Sequence, residues 1–245
     1  MLTNSDSKLI NSLVKKKFRQ KYNKFTVEGV KIIQELLKND YAIDKIYTTE
    51  LFETNTDVNQ ILISEAELKK ISQLVQPNTA LALCEIPKEK NLNLNGLILA
   101  LDDVRDPGNL GTIIRLADWF GIEQILCSHQ TVDLYNQKVI QSTMASFTRV
   151  QVNYVDLKEI FSTYENPILG TFMDGNNIYK TDLPSDAIII MGNEANGISD
   201  ELIPFITDKI TIPRFGNLQQ TESLNVAMAT GIILSEFVSK AAKNS

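Results

Sequence analysis

The order of apolar and polar residues divides the chain into two regions of different character. Residues 1–90 alternate short apolar runs with amphipathic stretches, such as the strand-like "KFTVEG" and "TALALCEI" and the helix-like "VKIIQELLKN". "SEAE", residues 64–67, has the spacing of a capping box and predicts the start of a short helix. We expect Ser5 or Asp6 to cap an earlier helix.

A polar stretch, "PKEKNLNLNG", follows and predicts a linker. Beyond it, apolar strand, polar turn and helix alternate, beginning with "GLILALDD", a run typical of a strand covered on both faces. Such alternation predicts an α/β domain with a parallel sheet. We therefore predict two domains, residues 1–90 and 95–245.

The composition is that of an ordinary globular protein, with 43% hydrophobic and 22% charged residues among 245. No apolar run reaches the roughly 18 residues of a membrane span, and the N-terminus has no signal pattern, so we expect a cytoplasmic protein without membrane contact. Cys84 and Cys127 lack metal or disulfide spacing, and both are expected to be buried.

The net charge of −6 argues against nucleic acid as a partner, but its distribution argues for it. Residues 1–90 carry 14 Lys/Arg against 12 Asp/Glu, and the remainder 10 against 18. Residues 8–24 hold seven cations, no acid and two interleaved aromatics, a pattern that suits RNA binding. The candidate contacts are Lys15, Lys16, Lys17, Arg19 and Lys21. A solvated helix face is the open alternative.

Three polar loops follow predicted strands, where parallel sheets bind ligands: "DDVRDPGNLGTIIR", "MGNEANGIS" and "IPRFGNLQQTESLNV". The first has neither the dinucleotide-binding nor the phosphate-loop spacing. Taken singly, each candidate has a plain structural reading. Arg115 could be an exposed helical cation, Glu194 a turn carboxylate and Ser223 a helix cap, and Asn109 could cap the helix that carries Arg115.

As a set, the loops resemble the three motifs of the TrmH/SpoU branch of the SPOUT superfamily, the RNA ribose 2′-O-methyltransferases. They match D-P-G-N-x-G-x-x-x-R, G-N-E-x-x-G-[IL]-S and I-P…S-L-N-V, in that order. "FTVEGVKIIQELL" resembles the small ribosomal-protein-like substrate-binding domain of the family. "TVDLYNQKVIQSTMASFTRV" fits the segment between the first two motifs, with Ala145 where a glycine is common.

The resemblance implies a deep trefoil knot that binds S-adenosylmethionine through the backbone of Thr171, Gly192, Ile212 and Leu224. It implies that Arg115 acts on the ribose 2′-hydroxyl. Because a guanidinium is almost never neutral, we expect Arg115 to grip the adjacent phosphate and stabilise the developing alkoxide. Asn109 and Glu194 would hold Arg115, and Ser223 and Asn225 would orient the nucleotide. No metal is expected, and His129 is interpreted as a loop residue.

The implied partners are a structured ribosomal or transfer RNA and a second copy of the chain. The apolar final helix suits a homodimer, although a fully buried helix of a monomer is the competing interpretation. Two other functions stay open, a non-catalytic RNA-binding or ribosome-assembly factor and a nucleotide-dependent α/β enzyme of another class. Residues 213–222 exceed the family length, and neither Arg214 nor Gln219 is assigned a role.

Overall fold

The computed structural model describes residues 1–54, 56–216 and 223–244, with side chains up to residue 241. The chain divides into two compact units, Met1–Glu89 with Asp133–Arg149 and Lys90–Val132 with Val150–Ser245. Within the described part, no helix is long and apolar enough to cross a membrane.

The helices, in chain order, are α1 (Asn4–Ser12), α2 (Lys16–Tyr22), α3 (Val30–Lys38), α4 (Glu65–Ile71), α5 (Pro107–Phe120), α6 (Gln137–Thr143), α7 (Leu157–Thr163) and α8 (Val226–Asn244). The strands are β1 (Lys24–Glu28), β2 (Ile43–Thr48), β3 (Gln60–Leu62), β4 (Ala80–Glu85), β5 (Leu97–Leu101), β6 (Gln124–Cys127), β7 (Gln151–Tyr154), β8 (Ile168–Asn177), β9 (Ala187–Met191) and β10 (Asp208–Thr211).

The first unit is built on a mixed sheet of order β1-β4-β2-β3, in which β4 is antiparallel to both of its neighbours. Alternate residues of β4, Leu81 and Leu83, join Ile10 of α1 and Leu68 of α4 in one buried cluster. The period of two in β4 therefore places α1 and α4 against the same face of the sheet.

Helix starts follow the expected chemistry, with two corrections. Ser64 and Glu67 form the predicted capping box of α4. The cap of α1 is Thr3, whose hydroxyl accepts from the Asp6 backbone N–H at 3.0 Å, so the prediction of Ser5 or Asp6 is wrong. The cap of α5 is Asp106, which accepts from the backbone N–H of Asn109 at 2.9 Å. The side chain of Asn109 is therefore not the helix cap.

Residues 133–149 belong to the first unit, whereas the predicted boundaries, 1–90 and 95–245, place them in the second domain. Buried polar pairs and aromatic rings hold them there. Arg19 binds Asp133, the carboxylate of Glu28 accepts from Gln137, and the rings of Phe25 and Tyr135 lie 4.6 Å apart between centroids. These contacts join residues more than 100 positions apart. No local pattern could have predicted them.

The second unit contains a six-stranded sheet of order β10-β8-β9-β5-β6-β7, with every neighbouring pair parallel. This confirms the predicted α/β fold. Helices α5 and α8 pack together, and an added Cβ on Gly231 of α8 would lie 3.4 Å from the Leu116 side chain. Strand β7 and helix α7 were not predicted, and a short 3-10 helix, Ile203–Phe205, follows the second polar loop.

Because all six strands run parallel, their carboxyl ends lie at one edge of the sheet. Residues 102–106 follow β5, residues 192–198 follow β9, and residues 212–216 follow β10. The fold therefore brings the three polar loops to a common edge. The trefoil knot implied by the resemblance stays a prediction.

Candidate functional site

A cavity of about 1220 Å³ lies at this edge of the second unit. It is lined by all four residues expected to contact the cofactor, Thr171, Gly192, Ile212 and Leu224. Glu194 and Ser223 also line the cavity, whereas Arg115, Asn109 and Asn225 do not. The structure thus brings together the four cofactor candidates and two of the five catalytic candidates in one cavity.

Gly192 permits a close approach of the backbone at the cavity. A Cβ at this position would lie 2.3 Å from the carbonyl carbon of Gly197 and 2.5 Å from the amide nitrogen of Ile198. Real Cβ atoms essentially never come this close to backbone atoms. Any side chain at residue 192 would therefore push the second loop out of place.

The second loop is tightly hydrogen-bonded. The Asn193 amide donates to the Asp103 carbonyl at 2.6 Å, and its oxygen accepts from the backbone N–H groups of Ala195 and Asn196 at 2.9 and 3.1 Å. Asn193 and Gly197 also exchange two backbone hydrogen bonds of 2.9 Å. The loop is therefore preorganised by its own residues and joined to the first loop.

Asp102 makes a second connection between these loops. Its carboxylate is 6% exposed and accepts from both the backbone N–H and the hydroxyl of Ser199. Neither Asp102 nor Asn193 is among the predicted site residues. Their position in the quoted loops was visible in the sequence, but only tertiary structure shows their hydrogen bonds.

Three predicted site residues from three loops form one hydrogen-bonded chain. The Asn109 amide donates to Glu194 Oε1 at 2.7 Å, and the Asn225 amide donates to Asn109 Oδ1 at 2.9 Å. The Asn225 oxygen also accepts from the backbone N–H groups of Ala227 and Met228. Asn225, rather than Ser223, is therefore the side chain that caps α8.

Arg115 is not held by Asn109 and Glu194. It lies six residues after Asn109 on α5, about 9 Å further along the helix axis. The side chain is exposed, and its guanidinium makes no hydrogen bond or ion pair with the described residues. The predicted contact is therefore absent from the described part of the chain, and Asn109 binds Glu194 and Asn225 instead.

The predicted basic cluster lies on and beside α2 of the first unit. Lys15, Lys17 and Lys21 are exposed. The ammonium groups of Lys17 and Lys21 lie 5.0 and 5.4 Å from the ring centroids of Phe18 and Tyr22, respectively. These two rings are stacked, with centroids 6.3 Å apart. Cations and aromatic faces are thus presented together. Lys16, which has a partner of its own, is exposed as well.

Arg19 is the exception in this cluster. Its side chain is buried, and its Nη1 donates to the carbonyls of Leu13 and Val14 at 2.7 and 2.9 Å. Its Nε donates to Asp133 at 2.9 Å. A buried guanidinium with these partners cannot also bind a phosphate of RNA at the protein surface. The prediction of Arg19 as an RNA contact is therefore wrong.

The remaining candidates have plain outcomes. His129 is exposed in the turn after β6. Cys84 and Cys127 are fully buried, and burial raises the pKa of both thiols. Among the described residues no group of His, Cys, Asp or Glu side chains could hold a metal ion. Arg214 lines the cavity, whereas Gln219 lies outside the described residues, as do all of residues 217–222.

The chain resembles two known families of domain and several known enzymes. Residues 96–235 match the SpoU rRNA Methylase family, and residues 4–82 match the MRM3-like substrate binding domain. The chain is 30% identical to the 23S rRNA (guanosine(2553)-2'-O)-methyltransferase RlmP of Bacillus subtilis over 89% of this chain and 90% of that protein. It is 32% identical to RlmB of Neisseria meningitidis, a 23S rRNA (guanosine-2'-O-)-methyltransferase, over 60% of each chain.

Solved structures agree with these similarities. A TrmH-family protein from Porphyromonas gingivalis has 35% identity and a TM-score of 0.88, over 97% of this chain and 98% of that one. An AdoMet-bound rRNA methyltransferase from Sinorhizobium meliloti has 26% identity and a TM-score of 0.87, over 98% and 96%. The activity class predicted from the sequence, S-adenosylmethionine-dependent methylation of the RNA ribose 2′-hydroxyl, is thereby confirmed. The chain belongs to the SpoU rRNA methylase family.

Proposed function

We propose that this protein methylates the ribose 2′-hydroxyl of a guanosine in large-subunit ribosomal RNA. The observation that carries the proposal is that the second and third motif loops line one cavity. Asn109 of the first motif joins both of them, through its hydrogen bonds with Glu194 and Asn225. Guanosine and large-subunit RNA are taken from the two 23S rRNA relatives. A cytoplasmic location is part of the same proposal.

The cavity fits S-adenosylmethionine on the chemistry of its wall. Gly192 has no side chain, and a Cβ there would collide with Gly197. The bare backbone allows a ligand to lie directly against the main chain. The Thr171 hydroxyl donates to the Ile190 carbonyl at 2.9 Å and so is already satisfied within the protein. Ile212 and Leu224 would then supply backbone groups and apolar contact. When bound, S-adenosylmethionine supplies a methyl group activated by a positively charged sulfur.

Arg115 would act on the RNA side of the site. Its side chain is exposed, and a guanidinium presents five N–H donors that suit a phosphate or a developing alkoxide. Because a guanidinium stays charged at neutral pH, it stabilises negative charge on the 2′-oxygen without itself accepting the proton. The proton would pass to solvent as the oxygen is methylated.

The hydrogen bonds from Asn225 to Asn109 and from Asn109 to Glu194 would position the loops around the reacting ribose. Asn225 is anchored by the first N–H groups of α8, and Glu194 stands on a loop tied to Asp103 by Asn193. Ser223, which lines the cavity beside Leu224, would orient the nucleotide. Correct alignment of hydroxyl and methyl carbon supplies much of the acceleration in such a transfer.

The exposed lysines of α2 would attract the RNA backbone, with Phe18 and Tyr22 as nearby rings. Lys15, Lys16, Lys17 and Lys21 stay in this proposal, and the buried Arg19 is removed from it. Phosphate attraction of this kind is independent of sequence. These lysines would therefore contribute affinity for RNA and not the choice of target nucleotide.

A homodimer is part of the proposal. Trp119 of α5 is 84% exposed and Met228 of α8 is 64% exposed, and these two helices pack together. Arg115 lies one turn before Trp119 on the same helix face. A second copy covering Trp119 would therefore place Arg115 at the subunit boundary. Sedimentation equilibrium tests this. We expect a dimer for the parent and a monomer for Trp119→Glu, and a monomeric parent would contradict it.

The rival, a non-catalytic RNA-binding factor, predicts RNA affinity without turnover. Labelled methyl transfer from S-adenosylmethionine to purified large-subunit RNA, with bulk transfer RNA in parallel, separates the two. We expect incorporation into ribosomal RNA only, and its loss in Arg115→Ala with cofactor affinity within a few-fold of the parent. Arg115 is exposed, so its removal should leave folding intact. Incorporation into transfer RNA alone, or none into either RNA, would overturn the proposal.

A further inference from the structure

An exposed aromatic pair lies beside the cavity and has no role in the site described above. Phe215 is 80% exposed and Tyr179 is 41% exposed, and their ring centroids lie 6.2 Å apart at an interplanar angle of 37°. Phe215 follows Arg214 in the loop after β10, and Tyr179 follows the end of β8. A ring as exposed as that of Phe215 buries little apolar surface, so it adds little to the stability of the fold. Stability therefore does not explain why a phenylalanine lies at this position.

The pair is joined to the cavity wall on both sides. Ile178, next to Tyr179, is buried, and its backbone N–H donates to the Thr211 carbonyl at 3.0 Å. Thr211 lines the cavity, as does Arg214, the residue before Phe215. Neither Tyr179 nor Phe215 lines it. The rings therefore lie beside the cavity without forming part of its lining.

The turn that carries Tyr179 is held in place by other residues. Asn177 accepts from the backbone N–H of Tyr179 through its side chain, at 2.9 Å. Lys240 of α8 donates to the carbonyls of Ile178 and Thr181 at 2.9 and 2.7 Å. Because the backbone of this turn is already fixed, little backbone entropy would be lost when a partner binds the Tyr179 ring.

We propose that Phe215 and Tyr179 form a stacking surface for a nucleobase of the substrate RNA next to the reacting ribose. Aromatic faces flanked by cations are the arrangement that binds single-stranded nucleic acid, and the exposed Arg214 and Lys180 flank the rings along the chain. The inference rests on the proposed RNA substrate. It adds a subsite that would hold the RNA strand outside the cofactor cavity.

Tryptophan fluorescence provides the first test. Trp119 is the single tryptophan of the chain, so the parent reports the signal of Trp119 alone and serves as the reference. The Phe215→Trp variant is titrated with a single-stranded fragment of large-subunit RNA and, separately, with S-adenosylmethionine. We expect the RNA to quench the added tryptophan beyond any change in the parent, and the cofactor alone to leave it unchanged. Quenching by the cofactor alone would make residue 215 a cofactor contact and overturn the inference, as would RNA binding without quenching.

Kinetics provide the second test. We expect Phe215→Leu to raise the KM for RNA about tenfold or more, with an unchanged Kd for S-adenosylmethionine, and Phe215→Tyr to restore the parent KM. An unchanged KM in Phe215→Leu would overturn the inference while the parent's methyl transfer still supports the proposed function. Absence of transfer by the parent would overturn the function, and the quenching experiment would still decide the stacking.

Discussion

The side-chain amide of Asn109 donates a hydrogen bond to Glu194 across 2.7 Å, joining loops that are 85 residues apart in the sequence. The same side chain accepts from Asn225, 116 residues away, at 2.9 Å. An amide suits this position because it donates at one end and accepts at the other. The three motifs of the family are thus physically one structure, centred on Asn109.

The donor and acceptor roles in these two hydrogen bonds lead to a charge-swap prediction. Asn109→Asp replaces the donor with a second carboxylate facing Glu194, so we expect methyl transfer to fall about tenfold or more. Adding Glu194→Gln restores a donor and the original total charge. We therefore expect the double variant to recover most of the activity, measured as kcat/KM. Glu194→Gln alone serves as the control. Losses that simply add in the double variant would contradict the pairing.

Gly192 leads to a prediction about cofactor binding. In Gly192→Ala the new methyl would lie within 2.5 Å of the Gly197–Ile198 backbone, so the second loop must shift. We expect the Kd for S-adenosylmethionine to rise at least tenfold by titration calorimetry. Gly231→Ala is the matched control, because its methyl would make only ordinary contact with Leu116. Equal cofactor affinity in both variants would show that the close approach at Gly192 does not shape the cavity.

The basic cluster leads to a prediction about salt dependence. Replacing Lys17 and Lys21 with Gln should weaken RNA binding and reduce the slope of log K against log salt by about 0.7 to 0.9 for each lost phosphate contact. The matched control replaces Lys69 and Lys70, two exposed lysines of α4, with Gln. A similar loss of slope in both pairs would assign the effect to net charge rather than to the surface of α2.

Much of this fold could be predicted because its signals are local. The capping box of Ser64 and Glu67 needs three residues of spacing, and the apolar run of β5 identifies a buried strand by itself. The three motif loops could be predicted to meet because parallel strands place their carboxyl ends together. These signals are sufficient for the fold class and for the common edge of the loops. The four candidate cofactor contacts follow instead from the family resemblance.

Other features depend on partners that are remote in the sequence. The composition of residues 8–24 counts Arg19 with the exposed lysines, yet Asp133, 114 positions away, holds it inside the first unit. From the sequence, either Ser223 or Asn225 could cap α8. The structure shows that the backbone N–H of Ala227 donates to Asn225. The position of Asn109 within the first motif is visible in the sequence. Its bond to Glu194 rather than to Arg115 is not.

The capping box leads to a prediction about pH. Hydrogen bonds from the Ser64 backbone and hydroxyl and from the Leu2 backbone lower the pKa of Glu67 below its usual 4.5. Because the folded-state pKa is depressed, the stabilisation is complete above pH 4.5 and is lost as the pH falls through the folded value. Glu67→Gln keeps an acceptor but cannot titrate.

Urea unfolding at several pH values measures this effect. The difference in free energy of unfolding between parent and Glu67→Gln should stay constant between about pH 7 and 5, then shrink at lower pH. Glu65→Gln, which removes a charge from the same helical turn but none of these hydrogen bonds, is the control. A difference that grows as the pH falls would contradict the sign of the shift.

The position of the transferred methyl group tests the central claim most directly. Large-subunit RNA labelled by the protein from methyl-labelled S-adenosylmethionine is digested with alkali, which cleaves RNA only where a 2′-hydroxyl is free. We predict that the label appears in alkali-resistant dinucleotides whose 5′ residue is guanosine. Label in mononucleotides would place the methyl group on a base and contradict the account.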